Sequence, residues 1–262
     1  MKVAFVQTKP VFGEKARNLE SAAKLIEKTD CDLFVLPELF ATGYSFSSKE
    51  EVRCLSEKIP QGETTAFLSK LAKDKVAYIV FGIAEKAGPA FYNSAVLLSP
   101  RGFVGCYRKV HLFLNEKKLF RPGNTGFQVF NIGLARLGII ICFDWLFPES
   151  MRTLALKGAD VVCHPANLVL PFCQTAMLTR CLENRVFAVT ANRTGTEKRA
   201  GKTLTFTGGS QMVDPSGTPL IKAGTKREEV GIFEIDPTDS RDKWFTPGNH
   251  VLKDRRPEFY AR

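Results

Sequence analysis

The chain has 262 residues, 44% hydrophobic and 24% charged, the proportions of a soluble globular protein with a large core. Lysine and arginine number 37 against 27 acidic residues, a formal net charge of +10. The basic residues are scattered, as at Arg108-Lys109 and Lys117-Lys118, with no arginine-rich arm, zinc spacing or RNA-binding signature. This argues against a nucleic-acid partner and for a solvated basic surface with at most a weak pull on anionic substrates.

Short β-rich runs alternate with helical patterns along the chain. Val3–Gln7 predicts a strand, and Asn18–Lys28 a helix with Leu19, Ala22, Ala23 and Ile26 on one face. Asp32–Leu36 is a second strand, stopped by Pro37. Two helices, Ser48–Lys58 and Thr64–Lys73, are each expected to open on a capping hydroxyl. Strands then cluster at Ala77–Ala84, Ser94–Leu98, Phe103–Tyr107, Phe127–Phe130 and Arg136–Cys142, with Pro100-Arg-Gly102 turning between two of them. A helix at Glu149–Lys157 ends at Gly158, followed by a strand at Asp160–His164, a helix at Gln174–Asn184 and a strand at Val186–Ala191. Asp214-Pro-Ser-Gly217 marks a hairpin, and Val230–Ile235 a last strand before a polar, charge-rich tail from Pro237. No linker or repeat interrupts the pattern, so one α/β domain spanning residues 1–262 is expected. Its strands are apolar on both faces, as in sheets covered on each side.

The longest apolar stretch, around Leu137 to Phe143, falls far below the roughly 18 residues of a membrane span. Lys9 and Pro10 cut short any signal-peptide core, so a cytoplasmic location without membrane association is expected. The seven cysteines, Cys31, Cys54, Cys106, Cys142, Cys163, Cys173 and Cys181, form an odd set without a CxxC pair. They read as thiols, mostly small buried hydrophobes, with room for one reactive exception.

Three segments share a geometry that carries chemistry. An apolar strand ends in a carboxylate at Val35-Leu-Pro-Glu38, another in an ammonium at Gly105-Cys-Tyr-Arg-Lys109, and a third in a thiol at Gly138-Ile-Ile-Ile-Cys142. Reactive groups in α/β sheets gather at the carboxyl ends of strands. Alone, each is a weak signal: such a cysteine is more often core packing, such a glutamate usually a turn residue or helix cap, and such a lysine usually a surface charge.

Together they resemble the carbon–nitrogen hydrolase (nitrilase) superfamily, at Leu36-Pro-Glu38-Leu-Phe-Ala-Thr-Gly-Tyr44, Tyr107-Arg-Lys109-Val-His-Leu-Phe113 and Ile141-Cys142-Phe-Asp-Trp-Leu-Phe-Pro-Glu149. The match continues through Gly158-Ala-Asp160, His164-Pro-Ala-Asn167, Glu183-Asn184 and Asp254-Arg-Arg-Pro-Glu-Phe-Tyr260. It is closest to short prokaryotic nitrilase-like amidases. The resemblance implies a four-layer αββα sandwich with Glu38, Lys109 and Cys142 as a catalytic triad and Glu116 as a second family glutamate. In that scheme Glu38 handles protons. Lys109 supplies the positive field for the thiol, and with the N–H of Phe143 it holds the oxyanion. Glu116 orients Glu38 or Lys109. Tyr44, Phe113, Phe143, Asp144, Trp145 and Asn167 are expected to contact a small-molecule amide or nitrile substrate.

A papain-like enzyme is the nearest rival, but only His111, His164 and His250 are available and no papain-type sequence surrounds a cysteine. No HExxH or paired His/Cys spacing exists, so neither metal nor cofactor is expected. True nitrilases usually carry Glu where Asp144 stands, and amino-acid carbamoylases often carry Arg where Trp145 stands. Both departures point to an amidase for a small, partly apolar acyl group. A nitrilase for small aliphatic nitriles or dinitriles, an N-carbamoyl amidohydrolase and a catalytically silent binding protein are the alternatives. The apolar faces of the helices Glu149–Lys157 and Gln174–Asn184, with the aromatic tail from about residue 237, predict a homodimer or larger assembly.

Overall fold

A computed structural model describes residues 1–260. The amino-terminal half runs β1 (Lys2–Gln7), α1 (Lys15–Glu27), β2 (Leu33–Val35), α2 (Lys49–Leu55), α3 (Glu63–Lys75), β3 (Tyr78–Ala87), β4 (Ala90–Ser99) and β5 (Gly102–Arg108). The remainder is α4 (Glu116–Leu119), β6 (Val129–Asn131), β7 (Arg136–Ile139), α5 (Pro148–Leu156), β8 (Val161–Pro165), α6 (Cys173–Asn184), β9 (Phe187–Ala191), β10 (Thr196–Arg199), β11 (Lys202–Thr205), β12 (Gln211–Val213), β13 (Pro219–Lys222) and β14 (Glu229–Glu234). A short ribbon, β15 (Trp244–Thr246) and β16 (Asn249–His250), follows.

Two six-stranded sheets form, in the orders β14-β1-β2-β3-β4-β5 and β13-β12-β9-β8-β7-β6. Each has a parallel centre, β1-β2-β3 in one and β7-β8-β9 in the other, flanked by antiparallel strands. Val3, Phe5, Val35 and Leu97 of the first sheet share one apolar cluster with Leu137, Val161 and Val189 of the second. The outer face of the first sheet packs on Leu19, Ala22 and Ile26 of α1 and Leu68 and Ala72 of α3. Met151 and Leu154 of α5 and Met177 and Cys181 of α6 cover the second. The layers are therefore α, β, β, α, as the resemblance implies. Because both faces of the central strands are covered, these strands are mostly apolar instead of alternating.

The structure corrects several local expectations. Ser48 caps α2 by accepting from the N–H of Glu51, but α3 opens at Gly62 without a side-chain cap. Thr64 instead donates its hydroxyl to buried Glu57 at 2.7 Å. The strand expected to reach Cys142 stops at Ile139, and Cys142 begins a turn of 3₁₀ helix. Met151 and Leu154 of α5 and Met177 and Cys181 of α6 are wholly buried against the second sheet, whereas Leu156 is 48% exposed and Ala176 and Leu178 are half-buried. The tail is docked, not loose. Lys243 donates to the carbonyls of Asn184 and Arg185 at the end of α6, and Arg152 of α5 donates to the carbonyl of Val251. Among the described residues no helix is long and apolar enough to cross a membrane.

Candidate active site

Glu38 leaves the end of β2 on a segment held by the N–H of Leu36 on Val80 and the N–H of Gly82 on Pro37. Gly82 is required there, because a Cβ would lie 2.4 Å from the Glu38 Cα. Lys109 follows β5, its N–H on the carbonyl of Asn93 in β4. Glu116 opens α4, and Cys142 follows β7. Leu39, Leu114 and Cys142 have φ of +49°, +44° and +42°. Such angles cost non-glycine residues about 1–3 kcal/mol each and persist only where their surroundings hold them. Here they adjoin or coincide with the reactive side chains.

The ammonium of Lys109 lies 2.7 Å from Glu38 Oε1 and 2.8 Å from each oxygen of Glu116. All three side chains are at least 95% buried. Asn93 donates to Glu38 Oε1 at 2.6 Å, whereas Tyr44 and the N–H of Phe113 donate to Glu116 at 2.7 and 3.1 Å. Glu38 Oε2 has no partner among the described residues.

Two carboxylates thus face one ammonium. Burial raises the Glu38 carboxyl above its usual range, assisted by the Glu116 charge and opposed by Lys109. Burial also works against the ammonium, but Glu116 and Glu38 outweigh it and hold Lys109 protonated. The Cys142 thiol is pushed well up by burial and then by Glu38, with Lys109 opposing. At Cys142 the Lys109 field is thus opposed by burial and by the two carboxylates, which favour the protonated thiol.

Cys142 opens on a cavity of about 160 Å³ lined by Phe113, Phe143, Trp145, Asn167, Leu168 and Phe172, among others. The Asn167 amide donates to the carbonyl of Glu38 at 2.8 Å, which leaves Oδ1 buried and unpartnered among the described residues. A second cavity, about 290 Å³, shares Phe113 and Val169 with the first and is lined by Tyr44, Glu116, Arg199 and Lys202. Five of the six expected contact residues therefore border one of these spaces.

Asp144 does not. It is fully buried, and its oxygens accept from the Tyr107 hydroxyl (2.8 Å), the N–H of Ile141 (2.9 Å) and the N–H of His111 (3.1 Å), with His111 Nδ1 at 2.8 Å. It clamps the turn bearing Cys142, and its expected contact with substrate is corrected to this supporting place.

Other supporting residues escaped the sequence reading. Asn93 gave no signal beyond a polar residue inside an apolar strand. The β10–β11 hairpin is polar and lacks strand alternation. Its Glu197, paired with buried Arg193, accepts from the N–H groups of Tyr44 and Ser45 and so holds Tyr44 toward Glu116. Among the described residues no group of three or more His, Cys, Asp or Glu is arranged to hold a metal ion.

A carboxyl with a free oxygen, a fixed ammonium and a thiol at an apolar cavity form a constellation suited to acyl transfer. Comparison with known proteins agrees. A nitrilase from Pyrococcus abyssi (strain GE5 / Orsay) is 51% identical over 265 residues, covering 100% of both chains. An (R)-stereoselective amidase from a Pseudomonas species is 36% identical over 90% of this chain and 85% of its own. The amidase from Nesterenkonia sp. AN1 superposes with a TM-score of 0.81 at 26% identity, over 98% of this chain and 94% of that one. That structure is a mutant with the acetamide moiety of fluoroacetamide added covalently at the active-site cysteine. The sequence profile described as carbon-nitrogen hydrolase matches residues 2–243. On the strength of that match, and with relatives aligned along its whole length, the chain belongs to the carbon–nitrogen hydrolase family.

Proposed function

We propose that this enzyme is an amidase that converts a small amide with an apolar acyl group into a carboxylate and ammonia. The observation that carries the reading is a pair of buried acceptors without partners among the described residues, Glu38 Oε2 and Asn167 Oδ1: the Glu38 charge acts on the Cys142 thiol, and Asn167 lines the cavity on which Cys142 opens. An amide NH₂ offers two donors to such acceptors, and a nitrile offers none. The lining of the cavity at Cys142 includes no charged side chain, which favours a neutral acyl group over the charged ends of N-carbamoyl amino acids or amines.

In this reading Glu38 takes the thiol proton as Sγ bonds to the amide carbon. Proton removal during attack suits a thiol that is neutral at rest. The N–H of Phe143 and the charge of Lys109 stabilise the oxyanion. Collapse breaks the C–N bond, and Glu38 gives its proton to the departing ammonia, leaving a thioester on Cys142. Water then attacks the thioester as Glu38 takes its proton. The C–S bond breaks, the sulfur is reprotonated, and the carboxylate leaves. Glu116, tied to Lys109, Tyr44 and Phe113, holds the ammonium in place.

Nitrile hydrolysis is the second reading, favoured by the 51% identical relative named a nitrilase. Ammonia release from matched short aliphatic amides and nitriles tests the choice. Amides are expected to turn over faster, and a tenfold preference for nitriles, about 1.4 kcal/mol in barrier, reverses the assignment. Cys142→Ala is expected to fold and to lose turnover. More than a few per cent residual activity, with substrate attached to another cysteine, refutes Cys142 as nucleophile.

A further inference from the structure

The peptide after Cys142 joins two groups with different partners. Its carbonyl, that of Cys142, lies 3.0 Å from Nε2 of His164, which is fully buried in β8. Its N–H, that of Phe143, has no acceptor among the described residues. A carbonyl only accepts, so Nε2 carries the hydrogen. Burial drives the imidazole pKa down to about 4, so the ring is neutral and Nδ1 is an acceptor. The Thr190 hydroxyl of β9, 3.1 Å away, then donates to Nδ1 and fixes that tautomer. The C=O and N–H of a trans peptide are coplanar and point in opposite directions, so a donor bound to the oxygen sets the direction of the N–H. It also polarises the amide, and linked hydrogen bonds strengthen one another in a dry interior. The device acts at a strained residue, since Cys142 has φ +42°. Lys109, the cation at the site, already faces three carboxylate oxygens.

We infer that His164 is a positioning residue whose Nε2–H, set by Thr190, orients and polarises the Cys142–Phe143 peptide so that the Phe143 N–H receives the developing negative charge of the substrate oxygen. The inference rests on the reading of Cys142 as nucleophile. It adds a chain from Thr190 through His164 to the oxyanion that touches no substrate atom except at the final N–H.

The test separates chemistry that builds an oxyanion from chemistry that does not. Iodoacetamide alkylates Cys142 by displacing iodide, forming the C–S bond with loss of the thiol proton and no tetrahedral oxygen. A short aliphatic aldehyde adds the thiol across its C=O, sulfur to carbon and proton to oxygen, and the new oxygen occupies the oxyanion position. Protection of Cys142 from iodoacetamide by propionaldehyde, read by intact mass spectrometry, therefore reports the oxyanion site whatever the natural substrate is. His164→Leu is expected to weaken aldehyde protection and kcat/KM for amides by about 30- to 100-fold, with the alkylation rate within threefold of wild type. His164→Gln, which can present an amide N–H near the Nε2 position, is expected to recover at least tenfold of that loss. Thr190→Val, close in shape to the native residue, releases the tautomer and is expected to cost three- to tenfold if His164→Leu does not fold. Equal slowing of alkylation and aldehyde capture by these variants would show a merely structural role and overturn the inference. So would unchanged aldehyde protection in His164→Leu, or in Thr190→Val if that is the variant that folds, or no protection of the wild type. Amides left intact by a wild type whose Cys142 the aldehyde protects would count against the amidase reading alone, and the inference would stand.

Discussion

Replacing Glu116 by Gln probes the centre of the site with little change in shape. The carboxylate accepts four contacts: two from Lys109 at 2.8 Å, one from Tyr44 at 2.7 Å and one from the Phe113 N–H at 3.1 Å. Glutamine keeps one oxygen, which can serve Tyr44 and one Lys109 contact. Its NH₂ then meets the Phe113 N–H and Lys109, donor against donor. One charge-assisted bond, about 1.5–3 kcal/mol, and one ordinary bond, about 0.5–1.5 kcal/mol, are lost. The sum of about 2–4.5 kcal/mol corresponds to about a 30- to 2000-fold fall in kcat/KM if it all reaches the transition state. The pH profile should also move. Glu116 is a like charge that helps to hold the Glu38 pKa up, so its removal lowers that pKa. In the proposed mechanism Glu38 acts as base when deprotonated, so the acid limb of kcat/KM should shift to lower pH. The assay is ammonia release against pH for wild type, Glu116→Gln and Glu38→Gln, with intact mass spectrometry after mixing with substrate. Activity of Glu116→Gln within threefold of wild type at every pH, or an acid limb displaced upward, would refute the reasoning. So would an acyl adduct trapped on Cys142 in the Glu116 variant but absent from the Glu38 variant, because Glu38 is assigned the protons of both half-reactions.

Three further outcomes follow from the packing. Gly82→Ala would place a Cβ 2.4 Å from the Glu38 Cα and 2.7 Å from the Leu39 nitrogen, backbone that cannot rotate away. A loss of about 1–3 kcal/mol in denaturant melts and a fall in kcat are expected; wild-type values in both would show that the close approach is dispensable. Asp160, buried beside Arg136 and Arg241, has its carboxyl held down at about 2 despite burial. Its stabilisation is therefore complete above the unfolded value near 4 and fades as pH falls toward 2. Asp160→Asn should cost about 1–2 kcal/mol at pH 7, discounted for guanidinium groups that are 40–48% exposed, and much less at pH 2. An equal cost at both pH values would contradict this. For assembly we propose a homodimer or larger oligomer built on the tail, where Phe245, Phe259 and Tyr260 are 59%, 72% and 50% exposed. Sedimentation velocity of the intact chain and of one truncated after Asp242 checks it, and a 29.1 kDa species for the intact chain at micromolar concentration rejects it.

The order of elements and the candidate reactive groups were readable from the sequence because both are local signals. Runs such as Val3–Val6 and Val161–Cys163 are buried on both faces, and β-branched residues in short apolar runs announce that. Glu38, Lys109 and Cys142 stood out because a charged or reactive residue at the end of such a run departs from its neighbours. Where a segment does not pack on the core, that signal vanishes. The β10–β11 hairpin is built from polar residues and went unread, though its Glu197 holds the loop bearing Tyr44. Direction within a turn was equally hidden. Asp144 and Trp145 are neighbours in sequence, yet one bends back to the Ile141 N–H and the other borders the cavity, because successive residues of a 3₁₀ turn point about 120° apart. The charge balance came only from tertiary structure. Asn93 lies within a strand and Glu38, Lys109, Glu116 and Cys142 at different strand ends and loops, and only the pairing of β2, β3, β4 and β5 and the stacking of the second sheet bring them together. In that dry interior burial and two carboxylates push the thiol up against the pull of one shared ammonium, a consequence of distance and burial that no order of residues states by itself.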